Sequence, residues 1–82
     1  MPEDEQNVRE GFGKNTEVII CTASGEKKVI RGKLKETEFP CSIEVLNAED
    51  EKNCRIPYFG KMEKIERITT ERGEILYALS LY

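Results

Sequence analysis

The chain has 82 residues and a net charge of −3, and 35% of its residues are charged. A chain of this length builds one hydrophobic core, so we expect a single domain. It has no histidine and three cysteines without a CxxC pair, which excludes histidine-dependent nucleophilic catalysis and argues against a zinc site. We therefore predict a non-catalytic protein that needs no metal, no other cofactor and no small-molecule substrate.

The N-terminal segment, MPEDEQNVRE, is acidic and lacks the apolar stretch of a signal peptide. No apolar run elsewhere approaches the ~20 residues that span a bilayer. We expect a cytoplasmic protein without membrane contact, in which Cys21, Cys41 and Cys54 are buried thiols. The first dozen residues are expected to form one or two helical turns, either in the free chain or only when a neighbour binds.

Two strand-like segments follow, with a turn at Ser24–Gly25 between them. Residues 16–22 are β-branched and apolar. Residues 27–37 alternate, which predicts one inward and one outward face. A glycine inside such a strand, Gly32, predicts a bend or a close backbone approach. The inward set is Ile30, Gly32 and Leu34, and the outward set is Arg31, Lys33 and Lys35.

Two shorter strands are predicted next. Residues 42–47 alternate, with Ile43 and Val45 facing inward. A polar turn separates them from residues 54–58. Pro57 lacks the N–H that a strand ladder needs, which predicts an edge strand or a strand end.

Residues 59–72 have apolar side chains at every third position, which suits a helix, but they end in a β-branched run. We predict a 3₁₀-like turn over 59–62 and a strand over 63–70. A reversal at residues 71–73 leads into a final strand, 74–82, that is apolar on both faces. Such a strand is either central in a sheet or packed against another chain. Its two faces are Ile75, Tyr77, Leu79 and Leu81, and Leu76, Ala78 and Ser80.

Five or six short strands separated by turn signals are typical of a small antiparallel barrel, in which closure removes exposed edges. We predict a mainly all-β fold with a short N-terminal helical segment. The domain spans residues 1–82, with an N-terminal segment over 1–13, the barrel core over 14–70 and an extra C-terminal strand within 71–82.

Basic residues are concentrated in residues 27–35, which carry five cations and no acid between acidic neighbouring segments. Two interpretations stay open. The cations pair across strands with Glu36, Glu44 or a neighbour's acidic turn, or they provide phosphate contacts.

Several of these features occur together in one known family. Gly13-Lys14 precedes the first strand, Gly32 lies inside the basic strand, and Glu38-Phe39-Pro40-Cys41-Ser42 forms a turn before the next strand. A second segment, Ile56-Pro57-Tyr58-Phe59-Gly60, leads into the strand that contains Ile65. This order resembles the Sm-like superfamily of small β-barrels, which includes the Sm proteins and bacterial Hfq.

The resemblance covers residues 13–70 and implies an SH3-like or Sm-like barrel. It also implies a homo-oligomeric ring of about five to seven subunits that binds single-stranded RNA. Aromatic side chains would stack on unpaired bases there. The RNA contacts implied are Phe39, Pro40, Ser42, Phe59, Gly60 and Lys61.

The sequence departs from the family pattern in both loops. Pro40 stands where the family has a stacking residue, Ser42 where it has asparagine, and Phe59 where it has arginine. The resemblance therefore supports the family's ring assembly for this chain better than it supports the family's recognition of uridine. Phe39 suits either an exposed stacking ring or an aromatic folded over the barrel end, and for Phe59 we favour a plug in the barrel floor.

Two other functions are compatible with the sequence. An SH3-like protein-interaction or regulatory module without nucleic-acid binding is favoured by the low pI of about 5.1 and by the missing asparagine and arginine. The other is a structural subunit that assembles through residues 74–82 and has no separate ligand.

Overall fold

The computed structural model describes residues 2–36, 42–57 and 63–79. Within these ranges it has one short helix and six strands, so the predicted mainly all-β fold with an N-terminal helical segment is confirmed. The elements are α1 (Pro2–Glu10), β1 (Asn15–Thr22), β2 (Lys27–Lys35), β3 (Ser42–Asn47), β4 (Asn53–Pro57), β5 (Glu63–Thr70) and β6 (Ile75–Ala78).

All six strands belong to one antiparallel sheet with the order β4-β3-β2-β1-β5-β6. β5 returns to pair with β1, and it also contacts β4, so the sheet curls into a barrel-like shape with β4 and β6 as its outer strands. Pro57 ends an outer strand, as its missing N–H predicts. Among the described residues, no helix has the length and apolarity that crossing a membrane requires.

The inward face of the sheet forms the core. The predicted inward residues Leu34, Ile43 and Val45 are fully buried. β1 and β5 contribute their own alternating apolar side chains, and α1 adds Val8. The buried apolar set is Val8, Val18, Ile20, Leu34, Ile43, Val45, Ile56, Ile65, Ile68, Leu76 and Tyr77.

Gly32 faces inward in β2, opposite Thr16 of β1 and Asn47 of β3. A Cβ atom at Gly32 would overlap the carbonyl oxygen of Leu46 and lie 2.8 Å from its carbonyl carbon. The buried hydroxyl of Thr16 donates a hydrogen bond to the Gly32 carbonyl at 3.2 Å. The predicted close backbone approach is confirmed, because the β3 backbone occupies the space that a side chain would need.

β5 covers the predicted range, and a β-bulge explains its helix-like apolar spacing. Ile68 lies opposite Val18 of β1. Ile65 lies opposite Ile20, so two steps along β1 match three along β5. Apolar residues three apart therefore face the same core in a bulged strand. The predicted turn over 59–62 lies outside the described residues.

β6 differs from the predicted alternation. It is an outer strand, so the predicted central position is wrong, and packing against another chain stays a prediction. Simple alternation puts Ile75 and Tyr77 on one face, but Ile75 is 58% exposed whereas Leu76 and Tyr77 are both buried. The cause is a register shift in the β5–β6 pairing between Ile68 and Thr69.

The helix α1 covers part of β6. Val8 is fully buried. A Cβ atom at Gly11 would overlap the side chain of Leu76, so the end of the helix lies directly on β6. An ion pair between Arg9 and Glu5, one helical turn apart, joins their side chains at 2.9 Å.

Candidate nucleic-acid interface

Five of the six predicted RNA contacts lie outside the described residues. The sixth, Ser42, is the first residue of β3 and is buried. Its Oγ accepts a hydrogen bond from Nε of Arg55 at 3.2 Å. Its cross-strand partner is Pro57, so the described residues that border the two predicted loops are neighbours in the sheet. The five predicted RNA contacts outside the described residues are Phe39, Pro40, Phe59, Gly60 and Lys61.

The basic side chains of β2 have different surroundings along the strand. At its start each cation has a carboxylate partner, and these partners lie in β1 and β5. The expected partners Glu36 and Glu44 form no ion pair with them among the described residues. All three pairs are exposed, so each stabilises the fold by only ~0–1 kcal/mol. The pairs are Lys27–Glu66 at 3.2 Å, Lys28–Glu63 at 3.4 Å and Arg31–Glu17 at 3.0 Å.

The end of β2 carries two cations without such partners. Lys33 and Lys35 are exposed, and no carboxylate of the described residues lies within 4.0 Å of either ammonium nitrogen. The cross-strand neighbours of Lys33 are neutral, Asn15 in β1 and Leu46 in β3. Lys35 lies opposite Glu44 without forming an ion pair. The register of the sheet therefore leaves both lysines available to a ligand.

The chain between α1 and β1 runs alongside this end of β2. The N–H of Gly13 donates to the carbonyl of Leu34 at 2.7 Å, and the N–H of Leu34 donates to the carbonyl of Lys14 at 2.9 Å. Gly13 has φ 83°, a left-handed conformation that glycine adopts readily. These two bonds hold Phe12 beside Lys33 and Lys35.

A groove of about 380 Å³ lies between this segment and the end of β2. Phe12 is half-buried and packs against the core, and it also lines the groove. Lys14, exposed, follows the lining residue Gly13. We call this surface the Phe12 groove and define it by Phe12, Lys33, Lys35, Glu36 and Leu46.

The Phe12 groove combines an aromatic ring with two cations that have no carboxylate partner in the described part of the chain. Proteins that bind single-stranded nucleic acid use aromatic rings together with cations, because bases stack on the rings while lysines contact the phosphates. Glu36 is the acid in the wall of the groove, and Lys33 and Lys35 outnumber it.

Two other clefts lie where the segment before β1 meets the turn between β5 and β6. One, of about 390 Å³, is lined by cations and acids in equal number, Lys14 and Arg72 with Glu71 and Glu74. The other, of about 470 Å³, contains the ion pair between Arg31 and Glu17. Charges of both signs leave neither cleft with a clear preference for an anion.

Cys21 and Cys54 are free, half-buried thiols, less buried than expected, and Cys41 lies outside the described residues. No group of three or more metal-ligating side chains occurs in the part of the chain that the structure describes.

Sequence reasoning assigned no role to Phe12 or Lys14. The segment Gly11-Phe12-Gly13 fails as a phosphate-binding loop, since it lacks the further glycines and the Lys-Ser/Thr that cradle phosphates. The sequence feature that could have pointed to this surface is a phenylalanine between two glycines, followed by a lysine. Its meaning depends on the contact with the end of β2, which is distant along the chain.

Comparison with protein families, with curated proteins and with solved structures gave no match. Function is therefore inferred from the fold and from the surface around β2.

Proposed function

We propose that this chain is a non-catalytic Sm-like protein that binds single-stranded RNA and assembles into a homo-oligomeric ring. The basic end of β2 is the observation that carries RNA binding. Lys33 and Lys35 have no carboxylate partner among the described residues, although the chain as a whole has a net charge of −3. Two neighbouring exposed cations without a carboxylate partner in the described ranges suit a ligand of negative charge.

Two features of the fold support the Sm-like part of the proposal. Gly32 makes a close backbone approach inside the basic strand, where the resemblance requires a glycine. Ser42 and Pro57, which border the two motif-like loops, are cross-strand partners. A sixth strand, β6, departs from the five that the family uses.

The edges of the sheet support assembly. Within the described ranges, β4 and β6 are outer strands with one side unpaired, and such edges are ready to pair with another chain. Contact between two unlike edges is head-to-tail, and a head-to-tail contact closes into a ring when the rotation between copies allows it.

A mass measurement in solution tests the assembly. Light scattering on a size-exclusion column, at two protein concentrations, should give one stable species of about five to seven chains. A species at the monomer mass of 9.4 kDa at both concentrations would contradict the ring.

Titration with fluorescent oligo-U and oligo-A tests RNA binding. Binding should weaken steeply as salt rises from about 50 mM to 200 mM, because phosphate contacts release counterions. No binding at the lower salt concentration would contradict the RNA proposal.

One observation favours the alternative of a protein-interaction module. Val29 is 48% exposed, and its cross-strand partner Ile19 is also on the outward face and only half-buried. Apolar side chains grouped on an outer sheet face suit a protein partner. A monomer that binds no RNA would favour this function.

The free thiols of Cys21 and Cys54 support a reducing compartment, and we place the protein in the cytoplasm on that ground.

A further inference from the structure

We infer that the Phe12 groove is the place where single-stranded RNA binds, with one base stacked on Phe12 and the adjacent phosphates on Lys33 and Lys35. This inference rests on the proposed function, since it names the site of the RNA contact. The residues of the groove differ from those of the two motif-like loops, because they come from the segment after α1, from β2 and the residue that follows it, and from β3.

The first argument is the fixed position of the aromatic ring. Phe12 packs against the core while it lines the groove. The helix end at Gly11 lies on Leu76, and Gly13 is hydrogen-bonded to Leu34. Because the residues on both sides of Phe12 are held in place, its ring loses little conformational entropy when a base stacks on it.

The second argument is the environment of the cations. Lys33 and Lys35 lie on the outward face of β2, two residues apart, which separates their Cα atoms by ~6.6 Å. Two ammonium groups spaced along a strand in this way can contact phosphates of one RNA backbone. At the start of the same strand, Lys27 and Lys28 form ion pairs with Glu66 and Glu63 of β5. Both ends of β2 therefore carry lysines, and they differ in the ion-pair partners of those lysines.

The third argument is the size and lining of the groove. Its volume of about 380 Å³ lies within the ~300–1,000 Å³ of ligand-binding clefts, and Leu46 adds apolar surface beside Phe12. Position Gly13 is open, since a Cβ atom there would meet nothing within 4 Å. Glu36 disfavours phosphate at the wall, and Lys33 and Lys35 outweigh its single charge.

The experiment compares two matched double variants of the full chain by fluorescence anisotropy with oligo-U and oligo-A. Lys33→Gln with Lys35→Gln removes the unpaired cations. The control, Lys27→Gln with Lys28→Gln, removes the same charge from the same strand but affects cations that already have partners. We expect about a tenfold or greater loss of affinity for the first variant and less than about a threefold loss for the control. The salt slope of the first variant should fall by about 1.4, since each lost phosphate contact on a single strand contributes ~0.7.

A second pair of variants isolates the base contact. Phe12→Leu keeps an apolar side chain against the core but removes the aromatic face. Loss of one stacked base is expected to weaken binding by roughly 5- to 150-fold, whereas Phe12→Tyr should retain affinity. Thermal unfolding monitored by circular dichroism confirms that both variants are folded.

The outcomes separate the inference from the proposed function. If the parent binds RNA and all these variants bind equally well, the Phe12 groove is not the site, although RNA binding stands. If the control loses as much affinity as the groove variant, only overall charge matters and the inference is overturned. If the parent binds neither oligonucleotide at low salt, the proposed function fails and the inference with it.

Discussion

The two ends of β2 carry the same kind of side chain in different surroundings. At the start, Lys27, Lys28 and Arg31 each meet a glutamate of β1 or β5. At the end, Lys33 and Lys35 face neutral neighbours or a glutamate that forms no ion pair with them. Sheet register therefore decides which cations of one basic strand are neutralised and which stay available.

Gly32 stands between the two ends, and its replacement should have the largest effect. Gly32→Ala puts a methyl group into the carbonyl oxygen of Leu46, so β2 and β3 must separate. We expect the free energy of unfolding to fall by about 2–3 kcal/mol, measured by urea denaturation. Lys33→Ala, one residue further on the exposed face, is the control and should change stability by less than about 0.5 kcal/mol. Equal stability of both variants would show that the close approach is not needed.

A glutamate at position 15 would make the end of β2 resemble its start. Asn15 lies opposite Lys33 in β1, as Glu17 lies opposite Arg31. Asn15→Glu should give Lys33 a partner and weaken RNA binding by roughly three- to tenfold in anisotropy titrations, because a paired cation releases fewer counterions on binding.

The control for this variant is Ala23→Glu, which adds the same charge in the turn at the opposite end of β2. Its affinity should stay within about twofold of the parent, since exposed charges beyond ~10 Å are screened by salt. A loss equal to that of Asn15→Glu would mean that net charge, not pairing, sets the affinity.

The reverse change frees a cation at the paired end and should have the smallest effect. Glu17→Gln removes the carboxylate that Arg31 contacts at 3.0 Å. Stability should fall by less than about 1 kcal/mol, because the pair is exposed. RNA affinity should rise about two- to threefold, since Arg31 precedes Lys33 on the same outward face. A fall in affinity would contradict the view that pairing suppresses RNA contacts at the start of β2.

Local patterns predicted most of the strands. Alternation placed Leu34, Ile43 and Val45 inward, and all three are fully buried. The β-branched run after Met62 marked β5 correctly, even though its apolar spacing suited a helix. These predictions succeeded because successive side chains of a strand point to opposite faces of the sheet, so the sequence alone shows which residues share a face.

The errors arose at irregularities in strand pairing. β6 was expected to be central or to pack against another chain. It is an outer strand, so the central position is wrong, and packing against another chain stays a prediction. Ile75 and Tyr77 fall on different sides of the register shift beside Ile68. A bulge is set by the contacts of both strands together, so the pattern of one strand does not reveal it.

The candidate site was predicted in part. Lys33 and Lys35 were identified from the sequence as possible phosphate contacts. Ser42 begins β3, as the predicted strand over 42–47 requires, and it is buried. Phe12 was missed, because its position beside these lysines depends on hydrogen bonds from Gly13 and Lys14 to Leu34.

The sequence by itself determined which segments are basic or acidic and where most of the strands lie, since both follow from residue type and spacing. Only the tertiary structure decided that Lys27 and Lys28 form ion pairs while Lys33 and Lys35 form none with the described residues. Ion pairing requires two side chains within about 4 Å, and the paired residues lie far apart along the chain. Distances of that kind are set by strand order and register, which arise when the whole sheet folds around its core.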